Sequence, residues 1–212
     1  MYLFTNKEVN EGLIQRHTQC LQKRLYAGNV AIAGLGGLGS NIAIWLARIG
    51  VGTIHLIDYD RVELTNLNRQ HYFMEHVGMY KTDALLQQIY KINPYLNVVT
   101  DCLKVNEENM FALFDKNDII CEAFDQPKEK AMLVNGIVEL FPQKCVVAAS
   151  GMAGFESSNK IVTRCLGEKV FLCGDSMSSF EDPTCLMAPR VALCAAHQAN
   201  MITRLIVGQT TE

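Results

Sequence analysis

No Cys-x-x-Cys pair occurs in this chain of 212 residues, although it carries eight cysteines, at 20, 102, 121, 145, 165, 173, 185 and 194. Structural zinc needs clustered thiolates or imidazoles at short spacing, so no zinc is expected. No run of about 18 uninterrupted apolar residues appears, which argues against a transmembrane helix and a membrane partner. The N-terminus "MYLFTNKEVNEGLIQRH" lacks the basic-then-apolar pattern of a secretory leader. A cytoplasmic protein is expected, with its cysteines as free thiols, several of them inside apolar runs such as "DIICEAF" and "KCVVAAS". Basic charge is not in excess: the formal net charge is -3, which gives no support to a nucleic-acid partner. Internal repeats and low-complexity segments are also missing.

What is present is a globular composition, 49% apolar and 19% charged, sufficient to bury a core. The length suits one domain across 1–212, divided into a helical segment (1–28), a core (29–150) and a C-terminal part (151–212). Apolar spacing in 8–26 predicts one or two helices. "NVAIAG" (29–34), "TIHLID" (53–58), "LNVVTDCL" (96–103), "DIICEAF" (118–124) and "KCVVAAS" (144–150) read as buried strands. Helical segments alternate with them at 40–50, 81–94, 106–117 (capped by Asn106) and 127–141. This alternation predicts an α/β fold: a Rossmann-like, doubly wound, mostly parallel sheet with helices on both faces. "KIVTRCLG" (160–167) and "KVFLCGD" (169–175) predict a C-terminal antiparallel hairpin, followed by a long helix over 189–208. Trp45, on the first core helix, is expected in the core.

Between the first strand and the first core helix lies Gly34-x-Gly36-Gly37-x-Gly39. Glycines there let backbone N–H groups approach a phosphate, and the helix N-terminus adds partial positive charge. Asp58 ends the second strand, about 20 residues past the last glycine, where a carboxylate can accept from a ribose hydroxyl. Redox enzymes share this much. They have no need of two further cations, Arg69 in "DYDRVELTNLNRQ" and Lys81 at the helix start "KTDALL". Two cations at the ligand-binding end of the sheet suit a triphosphate better than a nicotinamide cofactor. Asp125, after the fourth strand, can be an N-cap for the helix beginning at Pro127 and a magnesium ligand that keeps a carboxylate compatible with a polyphosphate, and the two roles can coexist.

The stretch "AGLGGLGSNIAIWLARIGVGTIHLIDYDRVELTNLNRQ", with Lys81 and "CEAFDQP", resembles the ubiquitin-activating-like adenylyltransferases, the family of ThiF and MoeB. The likeness covers roughly residues 12–208. It implies binding of ATP and Mg2+ and adenylation of the C-terminal glycine of a small ubiquitin-fold sulfur carrier ending in Gly-Gly. A short thiamine-pathway form is the nearest in pattern, and molybdopterin-type or cysteine- and siderophore-linked carriers are alternatives. By resemblance, Gly34, Gly36, Gly37 and Gly39 form the phosphate loop, with Gly37 under the phosphates, and Asp58 holds the ribose. Asn66 and Arg69 contact phosphates, Lys81 holds the transferring end, Asp125 ligates magnesium, and Gln126 lies beside it on the nucleotide. Arg16 is the positional match to an arginine that reaches the partner's ATP in a homodimer; Arg24 is a weaker one. Relatives that link covalently to their carrier use a cysteine after the adenylation core. Cys173 and Cys185 lie in that region, without a neighbouring lysine or histidine in the sequence. His17, His55, His71, His76 and His197 lack metal-ligand spacing and are read as structural. Arg190 is an uncommitted cation, and Asp60 and Glu63 have no assigned task. A redox enzyme and a non-catalytic scaffold are the competing classes.

Overall fold

The structure is a computed structural model, describing residues 4–178 and 186–211. Two N-terminal helices, α1 (Asn6–His17) and α2 (Gln19–Ala27), meet at Thr18, whose φ of 94° breaks the helix while its hydroxyl accepts from the Leu21 N–H. Then β1 (Asn29–Ala33), α3 (Gly37–Arg48) and β2 (Thr53–Ile57) follow, and α4 (Lys81–Ile92) leads to β3 (Asn97–Asp101). The chain continues through α5 (Met110–Phe114), β4 (Ile119–Glu122), α6 (Pro127–Leu140), β5 (Cys145–Ala149), β6 (Val162–Cys165), β7 (Val170–Gly174) and α7 (Ala188–Ile206).

Among the described residues, seven strands form one sheet in the order β3-β2-β1-β4-β5-β7-β6. All pairings are parallel except β6 with β7. Alternate residues of β1 serve opposite faces: Val30 and Ile32 pack with α3, α4 and α7, whereas Ala31 and Ala33 pack with α5 and α6. That two-sided burial is why the central strands read as continuous apolar runs. Trp45 is half-buried and packs against the larger core.

Two expectations are refined. The hairpin is real, but β7 also pairs in parallel with β5, so it extends the main sheet. The helix expected from Asn106 is shorter. Asn106 and Asn109 each accept from the other's backbone N–H at 2.9 Å, which closes a separate turn and delays α5 to Met110.

Candidate active site

The carboxyl ends of the parallel strands open onto a cavity of about 440 Å³, within the range of small-molecule sites. At the end of β1 the chain turns through Gly34 and Gly36 into α3, and both glycines, with Gly37, line the cavity. Gly39 lies behind them, where an added Cβ would overlap the Gly34 carbonyl oxygen. Glycine there lets α3 seat on the strand end and aim its N-terminus at the cavity.

Asp58 follows β2 and is spent on shaping this wall. Its Oδ2 accepts from the Leu35 N–H at 2.7 Å and its Oδ1 from the Asp60 N–H at 2.7 Å. Burial pushes the Asp58 carboxyl up, and the Lys81 ammonium with the two N–H donors pulls against it. Lys81, at the start of α4, is buried. Its Nζ donates to Asp60 Oδ2 at 2.7 Å and lies 3.8 Å from Asp58 Oδ2. Asp60 therefore has a task that spacing did not reveal: it anchors the lysine across the site.

Arg69 is half-buried, and one guanidinium nitrogen donates to Asn68 Oδ1 at 2.8 Å and Thr65 O at 3.3 Å. Burial lowers its pKa, opposed by the charge of Asp125 across the cavity. Asp125 is exposed on the cavity wall, and the N-cap position of α6 belongs to Gln126, which makes no side-chain cap bond. Asp125 therefore does not hold the N-cap position, and it lines the cavity.

Not every expected residue lines this space. Arg16 is exposed on α1, outside the cavity lining, and Arg24 donates to Val207 O at 2.6 Å. Asn66 ends a 3-10 turn (Leu64–Asn66), where its Oδ1 accepts from the Glu63 N–H at 3.0 Å. Gln126 is exposed beside the lining rather than in it. Glu63 serves the same turn, accepting from the Thr65 hydroxyl.

Sequence reasoning missed a second tier. Glu122, fully buried at the end of β4, accepts from Lys130 Nζ at 2.9 Å, the Phe124 N–H at 2.7 Å and the Ala149 N–H at 3.4 Å. Lys130 also donates to Phe124 O at 2.9 Å, so the turn that presents Asp125 is held from both sides. Burial raises the Glu122 carboxyl, with Lys130 and the N–H donors opposing. The signal available was the i to i+8 pair of opposite charges flanking "CEAFDQPKEK", but only folding brings it together.

The cysteine readings divide. Cys173 is fully buried and burial pushes its thiol up to about 11, the Thr163 hydroxyl acting in the opposite direction. Its burial is that of a core thiol. Cys185 lies outside the described residues. Each histidine has a hydrogen bond within the protein: His17 with Gln22, His55 with Asn117 and Asp101, His71 with Gln88, His76 with the Phe73 N–H, and His197 with Thr163.

Comparison with known proteins finds relatives of both the sequence and the fold. Over 132 residues, 62% of this chain, it is 36% identical to "Adenylyltransferase and sulfurtransferase UBA4" of Candida glabrata. It is 33% identical over the same length to "Adenylyltransferase and sulfurtransferase MOCS3" of Aedes aegypti. The match spans 30% of each of those proteins. Among solved structures, E. coli tRNA N6-threonylcarbamoyladenosine dehydratase TcdA in complex with ATP superposes with a TM-score of 0.83, at 20% identity and over 97% of both chains. E. coli MccB with MccA-N7isoASN gives 0.68 at 24% identity, over 90% of this chain and 60% of that one. These two likenesses are of fold. The model of the ThiF family matches residues 10–212; with its glycine loop, its Asp58–Lys81 wall and its seven-stranded sheet, the chain belongs to the ThiF family, within the ubiquitin-activating-like adenylyltransferase superfamily.

Proposed function

We propose that this protein uses ATP and Mg2+ to adenylate the C-terminal glycine carboxylate of a small ubiquitin-fold sulfur carrier ending in Gly-Gly. One observation carries the reading: Gly36, Gly37, Asp58, Arg69, Lys81 and Asp125, from three separate strand-to-helix connections, line one cavity. A nicotinamide site would leave Arg69, Lys81 and Asp125 without a task.

The attacking carboxylate is already ionised at neutral pH, so no general base is needed. Its oxygen forms a bond to the α-phosphorus, the bond to the bridging oxygen breaks, and pyrophosphate leaves with the electron pair. The obstacle is repulsion between anions, and the remedy is placed positive charge. Lys81 is held for this by Asp60, and Arg69 by its turn. Asp125 fits a magnesium site, since that ion is commonly held by one or two carboxylates together with phosphate oxygens. Magnesium, when bound, offsets charge between that carboxylate and the polyphosphate.

The thiamine-type carrier is the proposed acceptor, with molybdopterin-type and cysteine- or siderophore-linked carriers as the other members of the class. The adenylyltransferase and sulfurtransferase relatives support adenylation, and they fit the alternative carriers rather than the thiamine-type one. A homodimer, in which Arg16 serves the partner's site, completes the proposal. Incubating the protein with ATP, magnesium and each carrier should give an AMP adduct on one of them by mass spectrometry. Arg69→Ala and Asp125→Ala should each remove ATP–pyrophosphate exchange while the fold persists, a loss of about 3 kcal/mol in transition-state stabilisation. Near-normal exchange in either variant would overturn the site. A thermal shift with NAD rather than ATP would favour the redox class.

A further inference from the structure

The cavity is also lined by residues 150–153 after β5, 176–178 after β7, and Leu186 and Val191 at the start of α7, the last of them against Gly37. None of these lining residues is charged. They offer methionine, leucine and valine side chains, serine hydroxyls and backbone.

Their supports converge on one buried cation. Arg190 is 5% exposed. Its Nε donates to Ala153 O at 3.0 Å, and one terminal nitrogen donates to Glu156 O at 2.7 Å and Ser157 O at 3.0 Å. The other terminal nitrogen donates to Asp175 Oδ2 at 2.5 Å. Asp175 is buried too. Its Oδ1 accepts from the Met177 and Ser178 N–H groups, each at 2.8 Å, and from the Ser178 hydroxyl at 3.0 Å. Gly151 has a φ of 79°, and a Cβ there would overlap Asp175 Oδ1, so only glycine lets the two strand ends close on this carboxylate. Backbone bonds from Asp175 N–H to Gly151 O and from Ser176 N–H to Ser150 O complete the join.

We infer that Arg190 and Asp175 are positioning residues for the acceptor, fixing the wall along which the carrier's C-terminal tail reaches the nucleotide. The inference rests on the proposed function. A triphosphate belongs with Arg69 and Lys81, whereas an uncharged wall of apolar side chains, hydroxyls and backbone suits a peptide of small residues. The planar guanidinium fork reaches four acceptors at fixed angles, which a lysine ammonium cannot match, although it can keep the buried ion pair.

The test is Arg190→Lys, with the thiamine-type carrier as acceptor probe. The KM for the carrier should rise about tenfold, with kcat and the ATP dissociation constant within about twofold, the pattern of lost uniform binding. A merely structural role would lower kcat with the folded fraction and leave KM in place, and that outcome overturns the inference. Should Arg190→Lys fail to fold, Ser178→Ala removes only one hydroxyl bond to Asp175; an unchanged carrier KM there also overturns it. Failure of the wild-type protein to adenylate any carrier would sink the proposed function instead. Amide exchange then decides the clasp: faster exchange at Met177 and Ser178 in Arg190→Lys with ATP affinity retained supports it, and unchanged exchange overturns it.

Discussion

Asp60 shows what a single carboxylate can do when its partner is on another element. Half-exposed, it holds Lys81 at 2.7 Å, while Asp58 holds the Leu35 and Asp60 N–H groups. Asp60→Asn should leave Lys81 charged but mobile, and ATP–pyrophosphate exchange should fall about tenfold with little change in melting temperature. Full activity would show that Lys81 needs no anchor. Glu122 and Lys130 are a different case, because the carboxylate is fully buried. Removing the cation alone leaves an uncompensated buried charge, so Lys130→Met should cost about 3 kcal/mol in a denaturant titration. Adding Glu122→Gln to it should recover part of that loss; no recovery would mean that the lysine stem, not its charge, carries the effect.

At the scale of elements, glycine has opposite meanings in two helices. Gly39 in α3 sits against the Gly34 carbonyl. Gly39→Ala should displace the helix N-terminus and abolish the ATP-induced thermal shift. Gly12 in α1 has nothing within 4 Å of an added Cβ. Gly12→Ala should raise stability by about 0.5–1 kcal/mol, since alanine loses less backbone entropy in a helix. Both are read by thermal melts, with and without ATP-magnesium for Gly39→Ala. Helix and strand identities were legible because apolar periodicity and terminal glycines and prolines are local signals. The start of α5 was not, because Asn106 and Asn109 compete for the same backbone groups through a turn.

At the scale of the molecule, two properties are testable. Burial would push the Asp175 carboxyl up, but the Ser178 and Met177 N–H groups, the Ser178 hydroxyl and Arg190 outweigh it and hold it at about 2, below an ordinary value of 3.8. A depressed carboxyl adds stability above the ordinary value, and that contribution disappears as pH falls toward 2. Asp175→Asn should flatten the acid limb of the stability curve in that window. The second property is the dimer. If Arg16 serves the partner's site, mixing Arg16→Ala with Arg69→Ala subunits should restore about one quarter of wild-type activity. Half of the dimers would be mixed, each with one complete site. No recovery after subunit exchange would remove Arg16 from the site.

The amino-acid sequence by itself determined the alternation of strands and helices, the glycine loop, and the cluster after β2 that carries Asp58, Arg69 and Lys81. These depend on residues close along the chain, and the fold places strand ends together by a general rule of open sheets. Only the tertiary structure decided which polar groups face the cavity and which serve a turn. Asn66, promising by motif, caps its own loop, while Asp60, promising nothing, grips Lys81. It also decided that β7 lies beside β5, bringing residues 153, 156, 157 and 175 onto the buried Arg190 guanidinium. Such meetings depend on strand order and on the return path of α7, and no local pattern encodes the distance between groups that far apart in the chain.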